Sequence, residues 1–160
     1  MAIQVGDKIP DVKLWTIAAG GAREVSTGEL FRGKRAVLFA VPGAFTPTCS
    51  DYHLPGFVEL ADEIRARGVD LIACVAVNDH YVMDAWGKAR DVGEKILMLA
   101  DGNGDFARAL GLDADVSRFG LGVRSRRYAA LIEDGTVKAI NLDQPGRFEV
   151  SSAEKILEAL

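Results

Sequence analysis

Cysteine is scarce in this chain: 160 residues hold two, Cys49 and Cys74. Two thiols cannot build a disulfide framework. A reducing, cytoplasmic setting fits such a chain, and there a cysteine that matters acts as a reagent rather than a staple. Histidine is as rare, with His53 and His80 alone, which leaves little material for a metal site. No apolar run reaches the roughly 18 residues that a membrane helix needs. Met1 to Pro10 has no charged start followed by an apolar stretch, so no secretory signal is expected. Cationic clusters are missing too. The net charge is −4, and the nearest candidate, Arg124 to Arg127, is short and broken by Ser125. A nucleic-acid surface is therefore not expected. Repeats, low-complexity tracts and linkers are absent. At this length one domain over residues 1–160 with one sizeable core is expected.

What is present is an alternation of buried strands and helices. Val12 to Thr16 and Arg23 to Val25 read as short strands around the Ala18-Ala19-Gly20-Gly21 turn. Arg35 to Val41 is a continuous apolar run, the pattern of a strand covered on both faces. Val69 to Val77 is a second and Ile96 to Ala100 a third. Between them, a helix starts at Thr46-Pro47, a hydroxyl N-cap followed by proline at the first helical position. It runs to about Arg67 before Gly68, with a kink at Pro55. A second helix is capped by Asn78 or Asp79 and reaches about Ala89. A short one covers Asp105 to Leu110 and stops at Gly111. Arg127 to Glu133 and Thr136 to Leu142 form a hairpin across Asp134-Gly135. Ser151 and Glu154 open the last helix as a capping box. These elements imply an α/β fold with a central mixed β-sheet flanked by helices.

Counted from Thr46, Cys49 is the third helical residue. First-turn amides have no partner inside a helix, and with the macrodipole they favour an anion. A thiolate is such an anion, and the same amides can bind the oxygens of a bound peroxide or oxyanion. The Thr46 hydroxyl can donate to that thiolate or orient an O–O substrate. Pro42 closes the other end of the loop without an N–H and helps keep water from the sulfur. The competing reading of Cys49 is a small buried hydrophobe.

The string Pro42-Gly43-Ala44-Phe45-Thr46-Pro47-Thr48-Cys49 resembles the peroxiredoxin active-site motif, Pro-x-x-x-Thr-x-x-Cys. Extended through Ser50 and then His53-Leu54-Pro55-Gly56-Phe57, it is similar to the type II subfamily, which includes mammalian peroxiredoxin five and the plant type II enzymes. Val77-Asn78-Asp79, Ala85-Trp86-Gly87, Leu99-Ala100-Asp101 and Arg126-Arg127-Tyr128 extend the likeness over nearly the whole chain. The resemblance implies a thioredoxin-like fold, no metal or organic cofactor, and reduction of hydrogen peroxide and alkyl hydroperoxides. It implies Cys49 as peroxidatic thiol, with Pro42 and Thr46 completing the loop. Arg127 matches the family's active-site arginine, with Arg124 and Arg126 as possible substitutes. A homodimer built through loops near the site is implied as well, with Phe45 at such a contact.

The second half-reaction departs from part of that family. Mammalian members carry a resolving cysteine near the start of the last helix, where this chain has Ser151. Plant members are similar to this chain in having a cysteine at Cys74. Cys74 reads either as a core residue or as a resolving thiol. The latter needs Cα atoms within roughly 7 Å and some unfolding of the helix. An external thiol, from glutathione with glutaredoxin or from thioredoxin, is the expected reductant. His53, one turn after Cys49, is expected to bond backbone or to sit at the pocket rim. Other readings of the same residues are a Cys49–His53 hydrolase, half a metal site completed by Cys74 or His80, and a non-catalytic thioredoxin-fold redox-sensing or chaperone-like module.

Overall fold

The computed structural model describes residues 1–160. The strands are β1 (Lys13–Ala18), β2 (Gly21–Ser26), β3 (Arg35–Ala40), β4 (Leu71–Ala76), β5 (Leu97–Ala100), β6 (Asp113–Asp115), β7 (Val123–Ser125), β8 (Tyr128–Glu133) and β9 (Thr136–Leu142). The α-helices are α1 (Thr27–Leu30), α2 (Leu54–Ala66), α3 (His80–Ala89), α4 (Asp105–Ala109) and α5 (Ala153–Leu157). Seven strands make one sheet in the order β2-β1-β5-β4-β3-β8-β9. The β3-β4-β5 centre is parallel, and β1 and β8 join it antiparallel. The expected mixed sheet is thus present. β6 and β7 form a separate small hairpin.

The apolar runs read as buried strands are the sheet's centre. Side chains alternate along a strand, so each run feeds two cores. Val37 and Phe39 of β3, with Ile72, Cys74 and Ala76 of β4, face the core under α2, α3 and α5. Ala36, Leu38 and Ala40, with Ala73 and Val75, face the opposite core with Phe106, Leu110 and Tyr128. Asp134 and Gly135 both have positive φ, 47° and 79°, as a primed two-residue hairpin turn requires.

Three local expectations differ in detail. Helix α1 was not expected; Ser26 caps it by accepting from the Glu29 amide at 3.4 Å. The last helix is capped by Ser152, which accepts from the Lys155 amide at 3.2 Å, one residue later than the expected Ser151. Ser151 is taken by another partner, Asp143. The third difference lies at the first turn after Pro47. Helical turns begin at Pro47, so Cys49 is indeed the third helical residue. But Cys49–His53 is a π-helical segment, and Leu54 donates its N–H to the Cys49 carbonyl five residues back. Pro55 explains it. Its ring crowds the carbonyl four residues earlier and it brings no N–H, so the kink expected there takes the form of a π-bulge.

Candidate active site

Strand β3 delivers the chain to Val41, whose N–H still bonds the Val75 carbonyl at 3.2 Å. The loop from Pro42 to Thr46 then turns back toward the helix. The Ala44 amide donates to Asn78 Oδ1 at 2.9 Å, which ties the loop to the end of β4. Phe45 sits at φ 64°, a left-handed conformation that non-glycine residues rarely adopt, and its ring is 53% exposed. Thr46 does not cap the helix as expected. Its hydroxyl donates to the Gly43 carbonyl at 2.6 Å, closing the loop on itself. With its proton so engaged, the oxygen is left with lone pairs to offer as an acceptor.

Cys49 is fully buried, lying against the core that contains Val41, Leu54 and Phe57. Its surroundings are nevertheless not wholly apolar. Arg127, just before β8, points a guanidinium N–H at the sulfur, with Nη2 at 3.1 Å from Sγ. The second nitrogen of the fork, Nη1, lies 2.8 Å from His53 Nδ1. A buried anion needs a paired charge and hydrogen bonds, and this fork supplies both to a thiolate. The other two arginines are occupied elsewhere. Arg124 bonds the Leu121 and Val77 carbonyls at 2.8 and 3.1 Å, and Arg126 bonds the Asp143 carbonyl at 3.1 Å.

His53 is buried, not at a rim, and both ring nitrogens are engaged. Nε2 lies 2.9 Å from the Ser151 carbonyl, and Nδ1 faces the Arg127 donor. A carbonyl only accepts and a guanidinium only donates. The ring is therefore neutral, with its proton on Nε2. Burial pushes the His53 imidazole down to about 3, and the Arg127 charge adds to the effect. Neither nitrogen is free to take a proton from Cys49, so the hydrolase arrangement does not form. His80 stacks on Trp15 at 5.3 Å and takes no part in the Cys49 site. No three His, Cys, Asp or Glu side chains converge as metal ligands.

Cys74 lies in β4, paired with Phe39 of β3, and is fully buried. Burial, and then the neighbouring Cys49 charge, raise its thiol well above the ordinary range. Both cysteines are free thiols.

A cleft of about 580 Å³ is bounded by Pro42, Thr48, Arg126, Arg127 and Phe148, and by Val116 on the small hairpin's loop; Arg127 is common to this cleft and the Cys49 contact. Three residues take parts at the site that the sequence did not assign to them. Phe148 packs on His53 at 4.9 Å and lies 5.6 Å from the Arg127 guanidinium. Trp86 donates from Nε1 to the Ser50 hydroxyl at 2.9 Å, inside the π-helical turn. Asp143, at the end of β9, holds the segment that carries Ser151. Only Ser151, read as a cap and as the residue at the resolving-cysteine position, hinted at this last region.

The arrangement offers one sulfur a paired cation, which can also stabilise charge on an oxygen displaced when that sulfur attacks an O–O bond. Comparison with known proteins agrees. The Redoxin family model matches residues 4–157. The chain is 55% identical to Peroxiredoxin-2E-2, chloroplastic, of Oryza sativa subsp. japonica, over 99% of this chain and 72% of that protein. The crystal structure of reduced Prx3 in complex with hydrogen peroxide from Vibrio vulnificus superposes with a TM-score of 0.95, at 53% identity and 98% coverage of each chain. The Plasmodium falciparum antioxidant protein, a 1-Cys peroxiredoxin, superposes with a TM-score of 0.91 at 31% identity and 98% coverage of each chain. With a thioredoxin-like mixed sheet, the peroxiredoxin loop motif and relatives of this similarity over nearly its whole length, the chain belongs to the Redoxin family as a type II peroxiredoxin, a thiol-dependent peroxidase.

Proposed function

We propose that Cys49 is the peroxidatic residue and that Arg127, Thr46 and Pro42 complete its machinery. The Cys49 thiolate attacks one oxygen of hydrogen peroxide or an alkyl hydroperoxide. The S–O bond forms as the O–O bond breaks. The distal oxygen leaves with the electron pair and, once protonated, departs as water or alcohol, and Cys49 becomes a sulfenic acid. Both electrons come from sulfur, so the step needs no metal or organic cofactor. Arg127 stabilises the thiolate and then the charge developing on the leaving oxygen. Thr46, its proton on the Gly43 carbonyl, accepts a hydrogen bond from the hydroperoxide and so orients it. Pro42 walls the sulfur from bulk water.

The contact of Arg127 Nη2 with Cys49 Sγ at 3.1 Å carries this reading. Stopped-flow oxidation of wild type and Cys49→Ser tests it. Fast peroxide consumption by the wild type alone is expected, and reaction at the rate of free cysteine would overturn it.

An external thiol completes the cycle. One thiol displaces water from the sulfenic acid to give a mixed disulfide, and a second releases Cys49 as a thiol. Glutathione with glutaredoxin, or thioredoxin, supplies these thiols. Support comes from Ser151 standing where a resolving cysteine would be, and from the burial of Cys74 within the sheet. Residues 1–160 act as a single domain in a reducing compartment such as the cytoplasm, in keeping with two unpaired thiols. No helix is long and apolar enough to cross a membrane. A homodimer is part of the proposal, with the exposed Phe45 ring beside the site at its contact.

A further inference from the structure

The geometry points to Asp143 as a positioning residue for the peroxidase site, acting on Arg127 through the Ser151 carbonyl and His53; this rests on the role proposed for Cys49 and Arg127. Asp143 follows the last residue of β9 and grips two parts of the site. Its own N–H donates to the Arg127 carbonyl at 3.0 Å. Its carboxylate receives four donors from the segment before α5. Oδ1 accepts from the Glu149 and Val150 amides, each at 2.9 Å. Oδ2 accepts from the Ser151 amide at 3.3 Å and the Ser151 hydroxyl at 2.5 Å.

This clamp fixes where the Ser151 carbonyl points. That carbonyl takes the Nε2 proton of His53 at 2.9 Å and so selects one tautomer. The selected tautomer leaves a lone pair on Nδ1, which holds Arg127 Nη1 at 2.8 Å. The planar fork then places Nη2 on the sulfur at 3.1 Å. If the Ser151 carbonyl moves away, the imidazole can shift its proton to Nδ1. Two donors then face each other, and the guanidinium turns off its line to Cys49. Phe148, carried by the same segment, packs on His53 and reinforces the placement. A carboxylate suits this position because it alone offers two acceptor oxygens to four donors. Burial works to raise the Asp143 carboxyl, but the Ser151 hydroxyl and the Val150, Glu149 and Ser151 amides outweigh it and hold it below the usual range.

The test is a double-mutant cycle on the second-order rate of Cys49 oxidation by hydrogen peroxide. Misplacing a reacting group by an ångström costs about 100-fold, so Asp143→Ala is expected to be slower than wild type by about 10- to 100-fold. Because Asp143 acts through Arg127, the pair Asp143→Ala/Arg127→Ala should lie within about 2-fold of Arg127→Ala alone. A general loss of structure would instead slow both backgrounds equally. The ring ¹⁵N shifts of His53 should report a single Nε2-protonated tautomer in the wild type and a mixture in Asp143→Ala. The inference is overturned if Asp143→Ala oxidises within about 2-fold of wild type, or slows the Arg127→Ala background by the same factor. Should Asp143→Ala fail to fold by circular dichroism, Asp143→Asn takes its place in the same cycle. It keeps the Oδ1 pair and loses Oδ2, so a smaller slowing confined to the Arg127 background is expected, and a rate equal to wild type rejects the inference. If Arg127→Ala is itself as fast as wild type, the proposed role of Arg127 fails instead, which separates the two failures.

Discussion

Replacing Arg127 by alanine removes the one cation that touches the sulfur. Two unit charges 3.1 Å apart attract by about 5 kcal/mol at an effective dielectric constant near 20. Arg127 is only partly buried, so solvent screens some of this. The remainder counts toward rate only insofar as the guanidinium follows the charge from sulfur to the leaving oxygen. A share of about 3–4 kcal/mol is consistent with losing one preorganised donor of this kind and corresponds to a 10²- to 10³-fold slower oxidation. Arg127→Lys keeps the charge but not the fork. It cannot bond Cys49 and His53 at once, so it should recover only part of the loss. The assay is stopped-flow mixing of pre-reduced protein with hydrogen peroxide, with circular dichroism to check the fold. Oxidation of Arg127→Ala within about 3-fold of wild type would refute the reasoning, because a charge at that distance cannot be that unimportant to an attacking thiolate.

Cys74→Ala should keep most turnover driven by glutathione and glutaredoxin, since the thiol is buried in β4; complete loss with the fold intact would make it a resolving thiol. His53 titrates near 3 in the fold against an ordinary 6.5. Below 6.5 the unfolded chain therefore takes up a proton that the folded chain refuses. Stability is then full above pH 6.5 and falls as the pH drops toward 3. By pH 5 the loss from this group is about 2 kcal/mol. Urea unfolding at pH 7 and pH 5 should show this loss in the wild type and not in His53→Asn; equal losses in both would contradict it. Phe45→Glu should shift the sedimentation of the proposed homodimer to that of a monomer, and an unchanged sedimentation coefficient would contradict a contact through Phe45.

Strand runs buried over most of their length were legible because nothing local competed with them. Arg35 to Val41 and Val69 to Val77 read as buried strands, and the Asp134-Gly135 turn marked the hairpin that pairs with β3. The Cys49 loop was legible through its prolines and threonine. The cap expected at Thr46 does not form, because its hydroxyl finds a nearer acceptor in the Gly43 carbonyl. Pro55 announced a kink but not its form, since a π-bulge depends on which carbonyl the flanking amides choose. Choosing among Arg124, Arg126 and Arg127 needed the resemblance, then the coordinates; spacing alone made all three equal. The side of the site built by Asp143, Phe148 and Ser151 was out of reach. Phe148 and Ser151 meet His53, and Asp143 meets Ser151, only in the folded chain, and no local pattern encodes a contact between parts of the chain so far apart.

The most direct measurement treats reduced protein with one equivalent of hydrogen peroxide in the presence of a sulfenic-acid trap and locates the label by mass spectrometry. A label on Cys49, formed far faster than on free cysteine and lost in Cys49→Ser, is the expected result. A label on Cys74, or one appearing no faster than on an ordinary thiol, would contradict the account.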